Sequence, residues 1–299
     1  GWEISVSGVP VKVKNFEWKT IFNWSKNNSM VESLPEGIDK IQIGSGVYNV
    51  KSYAEVGKPY GAIYAKTFKR DAEGYILCQL DGSPKEGQDY EYLGCVQADW
   101  RGGWNNVFRL GNFSFSVMFD FQKGGKFFSQ TSIQSSVDGQ SVKSLEGRDA
   151  DFFSRKILGE SDEERYGFMR PQNANTPTAN GQIYPDWGRP KGVVLPNCRY
   201  DEDVEGLAGQ QVLGYCTPER YWMHYTSRDI SRFIYDASYV KLREITVSYD
   251  LPKKWLRKTP FQTFRVAAVG RNIATLFANT PHGLDPQATS TTGNAQGFE

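Results

Sequence analysis

The sequence predicts an all-β fold, namely part of an antiparallel transmembrane β-barrel with long loops on one side. Three observations lead to this prediction: apolar and polar residues alternate in several segments, these segments are about ten residues long, and their connections are either short or very long. Alternation places apolar side chains on one face of a sheet and polar side chains on the other. A tilted strand of about ten residues crosses a bilayer, and membrane barrels combine short turns with long loops.

The clearest alternating segments are residues 16–25 and 112–121. In the first, the aromatic side carries Phe16, Trp18, Thr20, Phe22 and Trp24, against Glu17, Lys19, Ile21, Asn23 and Ser25. In the second, Phe113, Phe115, Val117, Phe119 and Phe121 oppose Asn112, Ser114, Ser116, Met118 and Asp120. Such strands suit hydrocarbon on one side and a water-filled lumen on the other.

Two further alternating segments lie near the C-terminal end of the sequence. Ile245, Val247, Tyr249 and Leu251 oppose Glu244, Thr246, Ser248 and Asp250, and Phe264, Val266, Ala268 and Gly270 oppose Arg265 and Arg271. The last pattern is weaker, because Ala267 and Val269 fall on its charged side. Across these segments, the side chains expected to face the lumen or whatever fills it are Glu17, Lys19, Asn23, Glu244, Thr246, Arg265 and Arg271.

The connections set the expected path of the chain. The short ones are SGVPVKVKN, QKGGK after Phe121 and LPKKWLRKTP, and the longest covers residues 135–235, an expected extracellular loop rich in Gly, Pro, Asn and Asp. On this basis residues 107–121 run inward, QKGGK turns in the periplasm, and residues 126–134 run outward. Residues 26–106 then hold either no crossing or one pair of crossings, and the hairpin around residues 71–74 belongs to the membrane or to a loop.

Composition and motifs exclude several classes of function. The 299 residues carry 35 Lys plus Arg against 34 Asp plus Glu, so the net charge of +1 offers no basic field for nucleic acid. Two histidines, His224 and His282, stand 58 positions apart, and catalytic motifs are missing from the sequence. We therefore predict no enzyme activity, no cofactor and no metal site. The acidic stretch at residues 201–206 resembles the start of a calcium loop but has Val212 at the twelfth position, where a glutamate is required.

The four cysteines fall in two close pairs, Cys78 with Cys95 and Cys198 with Cys216. Three pairings are possible. Pairing between neighbours is favoured because each disulfide would close a short loop, and it would indicate an oxidising compartment. The alternative is four buried free thiols.

Four aromatic residues of the long loop are candidates for contact with a substrate or with a lid protein. They are Tyr184, Trp187, Tyr221 and Trp222. Tyr and Trp combine apolar area with a polar tip, which suits stacking on sugar rings or anchoring a protein interface. The alternative is that these rings pack the loop against itself.

Several segments resemble, in order, the C-terminal half of SusC/RagA-family TonB-dependent outer-membrane transporters of Bacteroidetes. They include GWEISVSG, YGAIYAKTF, ADWRGGWNNVF, NFSFSVMFDFQKGGKFF, YVKLREITVSYDLPKKWL and VGRNIATLFANTPHGLDPQ. The resemblance covers nearly all of residues 1–299 and is weak over residues 140–234. It implies a location in the bacterial cell outer membrane and a segment of a 22-stranded barrel that imports a glycan or peptide nutrient.

The resemblance also implies partners: a SusD-like surface lipoprotein, and TonB acting through a plug domain that we expect outside this sequence. Residues 2–7 and 263–276 are then expected to pair with barrel strands elsewhere, because unpaired strand edges are costly in lipid. The alternative function is a soluble secreted β-sandwich that binds carbohydrate through exposed aromatics, since sandwich strands also alternate.

Overall fold

The computed structural model describes residues 1–80, 82–145, 193–216, 221–281, 283–287 and 297, and only the backbone of residues 194, 196, 213, 215 and 216. In this part of the chain the strands are β1 (Trp2–Val13), β2 (Phe16–Lys26), β3 (Lys40–Ser45), β4 (Lys51–Glu55), β5 (Ala62–Ala65), β6 (Ile76–Cys78), β7 (Glu91–Cys95), β8 (Trp100–Leu110), β9 (Phe113–Lys123), β10 (Lys126–Phe128), β11 (Val193–Tyr200), β12 (Gln211–Cys216), β13 (Ile234–Asp236), β14 (Tyr239–Asp250) and β15 (Arg265–Ala278). The α-helices are α1 (Gln130–Val137) and α2 (Lys253–Leu256). Single turns of other helix types lie at Val47–Asn49, Val142–Leu145, Tyr221–Tyr225, Thr226–Arg228 and Ile230–Phe233.

The main sheet consists of β1, β2, β8, β9, β14 and β15 in that order, and every neighbouring pair is antiparallel. A strand of 11 residues at about 3.4 Å per residue, tilted by about 40°, rises roughly 28 Å, which matches the hydrocarbon thickness of a bilayer. The structure thus confirms a mostly antiparallel β fold with few helices. In the described residues, β1 and β15 form the two edges of this sheet.

The connections of the main sheet divide its ends into two rims. At the turn rim, two-residue turns at 14–15 and 111–112 and the connection at residues 251–264 join neighbouring strands. At the loop rim, the long connections 27–99 and 124–238 leave the sheet. Gly111 has φ of 57°, a left-handed value that glycine adopts without strain, and this allows the tight reversal between β8 and β9.

The predicted path of the chain was wrong around this turn. Residues 107–121 are not one strand, because the chain reverses at residues 111–112. QKGGK therefore lies at the loop rim, and residues 126–134 form the short β10 and the start of α1 instead of a crossing strand. The side chain of Ser129 caps α1 by accepting a hydrogen bond from the Ser132 amide at 3.1 Å.

Residues 27–99 add no described strand to the main sheet, because β2 pairs directly with β8. Instead β3, β4, β5 and β7 form a separate four-stranded sheet, and β6 joins β11 and β12. The predicted hairpin at residues 71–74 exists within this loop region, with Arg70 bridged to Ile76. The strands β11 and β12 lie within the predicted long loop, and the helix expected near residue 146 lies outside the described residues.

Hydrophobic cores of the described residues lie in the loop region. One packs around Phe68, Ile76 and Trp222, and the other around Ile63, Phe128 and Phe233. No described helix is long and apolar enough to span a membrane.

Candidate functional site: the two faces of the main sheet

The apolar face of the main sheet carries the predicted aromatic residues. The register aligns Phe22 with Trp104 and Phe119, and it aligns Trp18 with Phe108, Phe115 and Val247. Ring pairs follow these rows, with centroids 5.9 Å apart for Trp18–Phe108, 6.1 Å for Phe108–Phe115 and 5.8 Å for Trp104–Phe119. Gly102 leaves space for the Phe121 ring, since a Cβ there would lie 2.2 Å from it.

Two polar side chains interrupt this face, and both are satisfied by tryptophans. Asn106 is only 3% exposed, and its Oδ1 accepts a hydrogen bond from Trp18 Nε1 at 3.0 Å. Thr20, which is opposite Asn106 in the register, accepts one from Trp104 Nε1 at 2.9 Å. Polar groups in hydrocarbon must find protein partners, so this arrangement makes Thr20 and Asn106 compatible with a lipid-facing surface.

The exposure of the apolar face argues against the soluble sandwich. Phe113 and Phe115 are 57% and 40% exposed, whereas the two inner faces of a sandwich bury such residues. Large exposed apolar surfaces mark contact with a membrane or a partner. This face is therefore an interaction surface.

The opposite, polar face carries the seven residues predicted to face the lumen. The register places Glu17, Lys19, Asn23, Glu244, Thr246, Arg265 and Arg271 on this face. Cross-strand pairs neutralise several of them: Lys12 with Glu17 at 3.0 Å, Arg271 with Glu244 at 3.0 Å, and Arg265 with Asp250 at 2.6 Å. Ser5 donates a hydrogen bond to Asn23 at 2.7 Å, and Thr246 donates to Glu244 at 3.1 Å.

A further polar network near the loop rim was not predicted. Between Leu242 and Glu244 the register shifts, so Arg243 joins the polar face as a bulge residue. Arg243 is ion-paired with Asp120, with Nε 3.1 Å from Oδ2, and Nη1 donates to Asn272 at 2.8 Å. In the sequence, the adjacent charges Arg243 and Glu244 break the alternation, and this break was the available signal for the bulge.

The chain after β15 returns to this network. Gln287 accepts hydrogen bonds from Arg243 at 2.7 Å and from the buried Lys241 at 2.9 Å, and it donates to Tyr239 at 2.6 Å. Lys241 also pairs with Asp285 at 2.5 Å. Hydrogen bonds from Lys241 and from the Gln287 amide outweigh burial and lower the pKa of Asp285. This network, which we name the rim latch, holds segment 283–287 against the polar face. Next to it, a cavity of about 220 Å³ is lined by residues that include Glu3, Asn23, Arg101 and Asp120.

The prediction of ligand contact by loop aromatics is wrong for the two residues that the structure describes. Tyr221 and Trp222 are 0% and 2% exposed in one of the loop cores, and their rings pack edge to face at 5.1 Å. They stabilise the loop, as the alternative reading held, because burial leaves no ring face for a sugar. Tyr184 and Trp187 lie outside the described residues.

Neither predicted disulfide is present. Cys216 is opposite Val193 and Cys198 opposite Val212, which separates the two cysteines by five positions, or roughly 16 Å, whereas a disulfide needs Cα atoms within about 7 Å. Cys95 lies in β7 of another sheet, and its thiol donates to the Tyr60 carbonyl at 3.4 Å. Cys78 is instead the neighbour of Cys198, and a hydrogen bond between them lowers the pKa of the Cys198 thiol.

The acidic stretch at residues 201–206 is organised by lysines. Asp201 is buried and accepts hydrogen bonds from Lys69 at 2.9 Å and from Lys85 at 2.8 Å, while Lys85 also pairs with Asp203. Burial raises the pKa of Asp201, but the hydrogen bonds from Lys85 and Lys69 outweigh it and hold the pKa at about 2. The described residues contain no cluster of three or more groups that could ligate a metal.

Comparisons with known proteins agree with this geometry. No protein-family model matches the chain. A curated relative, TonB-dependent receptor P3 of Formosa agariphila, is 23% identical over 318 aligned residues, which cover 99% of this chain and 26% of the relative.

Solved structures of RagAB give the same result for the fold. The peptide importer in its "open-open" and "closed-closed" states matches with TM-scores of 0.51 and 0.52 at 14% identity. These matches cover 99% of this chain and 26% and 27% of the solved chains, so the chain spans about a quarter of the length of its relatives. The fold and its two faces define a segment of an antiparallel β protein similar to the RagA barrel. The chain belongs to the TonB-dependent transporters of the SusC/RagA type, as part of a longer protein.

Proposed function

We propose that this chain forms part of the wall of a 22-stranded outer-membrane barrel that imports an oligosaccharide or peptide nutrient. In this proposal lipid covers the apolar face, and the lumen and a plug domain lie against the polar face. TonB drives transport through the plug, and a SusD-like surface lipoprotein covers the loop rim. The work of transport is conformational, so the chain performs no covalent chemistry.

The observation that carries the proposal is the opposite chemistry of the two faces along strands long enough to cross a bilayer. The apolar face satisfies its two central polar groups by tryptophan hydrogen bonds, whereas the polar face holds the ion pairs. Tryptophans also stand where the strands meet the loop rim, at Trp2, Trp24 and Trp100, as expected at a membrane interface.

The edges of the main sheet support a larger barrel. Within the described residues, β1 and β15 each pair on one side only. In lipid, an unpaired backbone group costs several kcal/mol. We infer that strands elsewhere in the full protein pair with both edges, as the coverage of about a quarter of the relatives also suggests.

The test is a matched pair of substitutions on β9 of the full-length transporter, Phe115→Arg and Ser116→Arg. These neighbours point to opposite faces, Phe115 opposite Val247 and Ser116 opposite Thr246. A basic residue facing lipid costs up to about 2–4 kcal/mol at mid-membrane. We expect Phe115→Arg to reduce the amount of folded transporter in the outer membrane and Ser116→Arg to leave it unchanged, measured by membrane fractionation and heat-modifiable gel mobility.

Equal effects of the two substitutions would contradict the assignment of the faces. Recovery of the wild-type protein in the aqueous fraction without detergent would instead favour the soluble β-sandwich. Substrate class is assigned by growth of a deletion strain, complemented with the transporter, on glycans or peptides as the only supply.

A further inference from the structure

The connection between β14 and β15 is longer than chain reversal requires. The other two connections at the turn rim have two residues each, whereas this one takes residues 251–264, with the sequence LPKKWLRKTPFQTF. Its backbone is ordered: the Leu251 amide donates to the Phe264 carbonyl at 2.9 Å, and the Thr259 amide donates to the Leu256 carbonyl at 2.9 Å. We name residues 251–264 the basic connection.

Four cations crowd the basic connection without a compensating acid. They are Lys253, Lys254, Arg257 and Lys258, and the segment contains no Asp or Glu. Residues four positions apart on a helical turn are neighbours, so 253 lies near 257 and 254 near 258, and such like-charge pairs repel. Among the described residues none of these four cations forms an ion pair, and the nearby Asp250 is held by Arg265 at 2.6 and 2.9 Å.

Aromatic residues of the same connection continue the apolar face. Phe264 directly precedes β15 and alternates in phase with Val266 on that face, and its ring lies 5.8 Å from that of Phe261, edge to face. Trp255 and Phe261 are 61% and 55% exposed, while Leu256 is buried and anchors the helical turn. Exposed rings thus border the expected hydrocarbon, and the cations lie within the same short segment.

We propose that the basic connection binds the head groups of anionic phospholipids in the leaflet at the turn rim. Trp and Tyr prefer the level of the head groups, and clusters of Lys and Arg beside a membrane bind anionic lipids. Bound phosphates relieve the repulsion among the four cations. This inference rests on the proposed function, because it requires a bilayer against the apolar face.

The test uses the full-length transporter reconstituted in vesicles of phosphatidylethanolamine and phosphatidylglycerol in equal amounts. Retained lipids are counted by native mass spectrometry after extraction in detergent. The wild type is expected to retain phosphatidylglycerol preferentially, and Lys254→Gln/Lys258→Gln is expected to weaken that preference by about fivefold per cation removed. The matched control Lys40→Gln/Arg70→Gln removes two exposed, unpaired cations of the loop region and should not change the preference.

A second readout follows Trp255 directly. Brominated phosphatidylglycerol should quench more tryptophan fluorescence in the wild type than in Trp255→Phe. The inference is overturned if the transporter is recovered with membranes but shows no preference for phosphatidylglycerol, or if the control loses as much preference as the test variant. Failure of the wild type to partition with membranes would refute the proposed function itself.

Discussion

The hydrogen bond between Trp18 and Asn106 provides a quantitative test of the lipid-facing surface. Trp18→Phe keeps an aromatic ring against Phe108 but removes the indole donor that lies 3.0 Å from Asn106 Oδ1. Asn106 is 3% exposed, so its acceptor would lose its partner in an apolar environment. The expected cost is about 1–3 kcal/mol. Asn106→Leu removes the acceptor and leaves the indole without this bond.

The double variant removes both groups together, so its cost should be smaller than the sum of the two single costs. We expect a coupling free energy of about 1–2 kcal/mol in the double-mutant cycle. The measurement is guanidinium unfolding of the full-length transporter in phospholipid vesicles, with the folded fraction read from gel mobility. The equivalent cycle with Trp104→Phe and Thr20→Val is an independent repeat, because that bond is 2.9 Å long on the same face.

Additive costs in both cycles would refute the reasoning. Additivity would mean that water reaches Thr20 and Asn106 after the tryptophan is changed, as on a solvated sheet. The apolar face would then not be covered by hydrocarbon.

Two further predictions concern the turn rim and the loop region. Gly111→Ala should destabilise the transporter by about 1 kcal/mol through its φ of 57° alone, because a Cβ there meets no atom within 4 Å; Gly8→Ala, equally open but without positive φ, is the control, and denaturant midpoints compare them. Asp201→Asn should accelerate loop proteolysis at pH 7 by weakening the contacts to Lys69 and Lys85. The Asp201 pKa of about 2 lies below the ordinary value near 3.9, so this stabilisation is complete above about pH 4 and is lost as the pH falls through 2, where wild type and variant should be cleaved alike.

The two faces of the strands could be predicted from sequence because a bilayer imposes a strict period of two. Every residue of β9 from Phe113 to Phe121 lies on the face that alternation gives it. Lipid tolerates few exceptions, so the pattern survives without any knowledge of neighbouring strands. The family resemblance was likewise confirmed by the comparisons.

The position of the turn was mistaken although the sequence contained a signal for it. Apolar residues occupy even positions at Trp104, Phe108 and Leu110 but odd positions from Phe113 onward. A two-residue turn pairs 110 with 113 on one face, so this change of parity marks the reversal. QKGGK was preferred because its two glycines are a stronger local turn signal.

The rim latch and the loop cores depend on contacts that no local pattern specifies. Lys241 meets Asp285 across 44 positions of sequence, and Asp201 meets Lys69 across 132. The burial of Trp222 has the same origin, because an aromatic residue in a polar loop reads identically whether it packs inward or binds a ligand. Sequence alone offered both readings, and the fold decides between them.

The rim latch also bears on how the two ends of the wall differ. At the loop rim, segment 283–287 is held over the polar face by charged groups of β14, so charges line this end of the expected lumen. At the turn rim, the basic connection has cations without carboxylate partners, and its aromatics continue the apolar face. Charge is therefore neutralised within the protein where the expected lumen opens to the loops, and it is left uncompensated where the wall meets the opposite leaflet. This difference accounts for compact ion pairs at one rim and exposed cations at the other, on strands that otherwise share one alternating pattern.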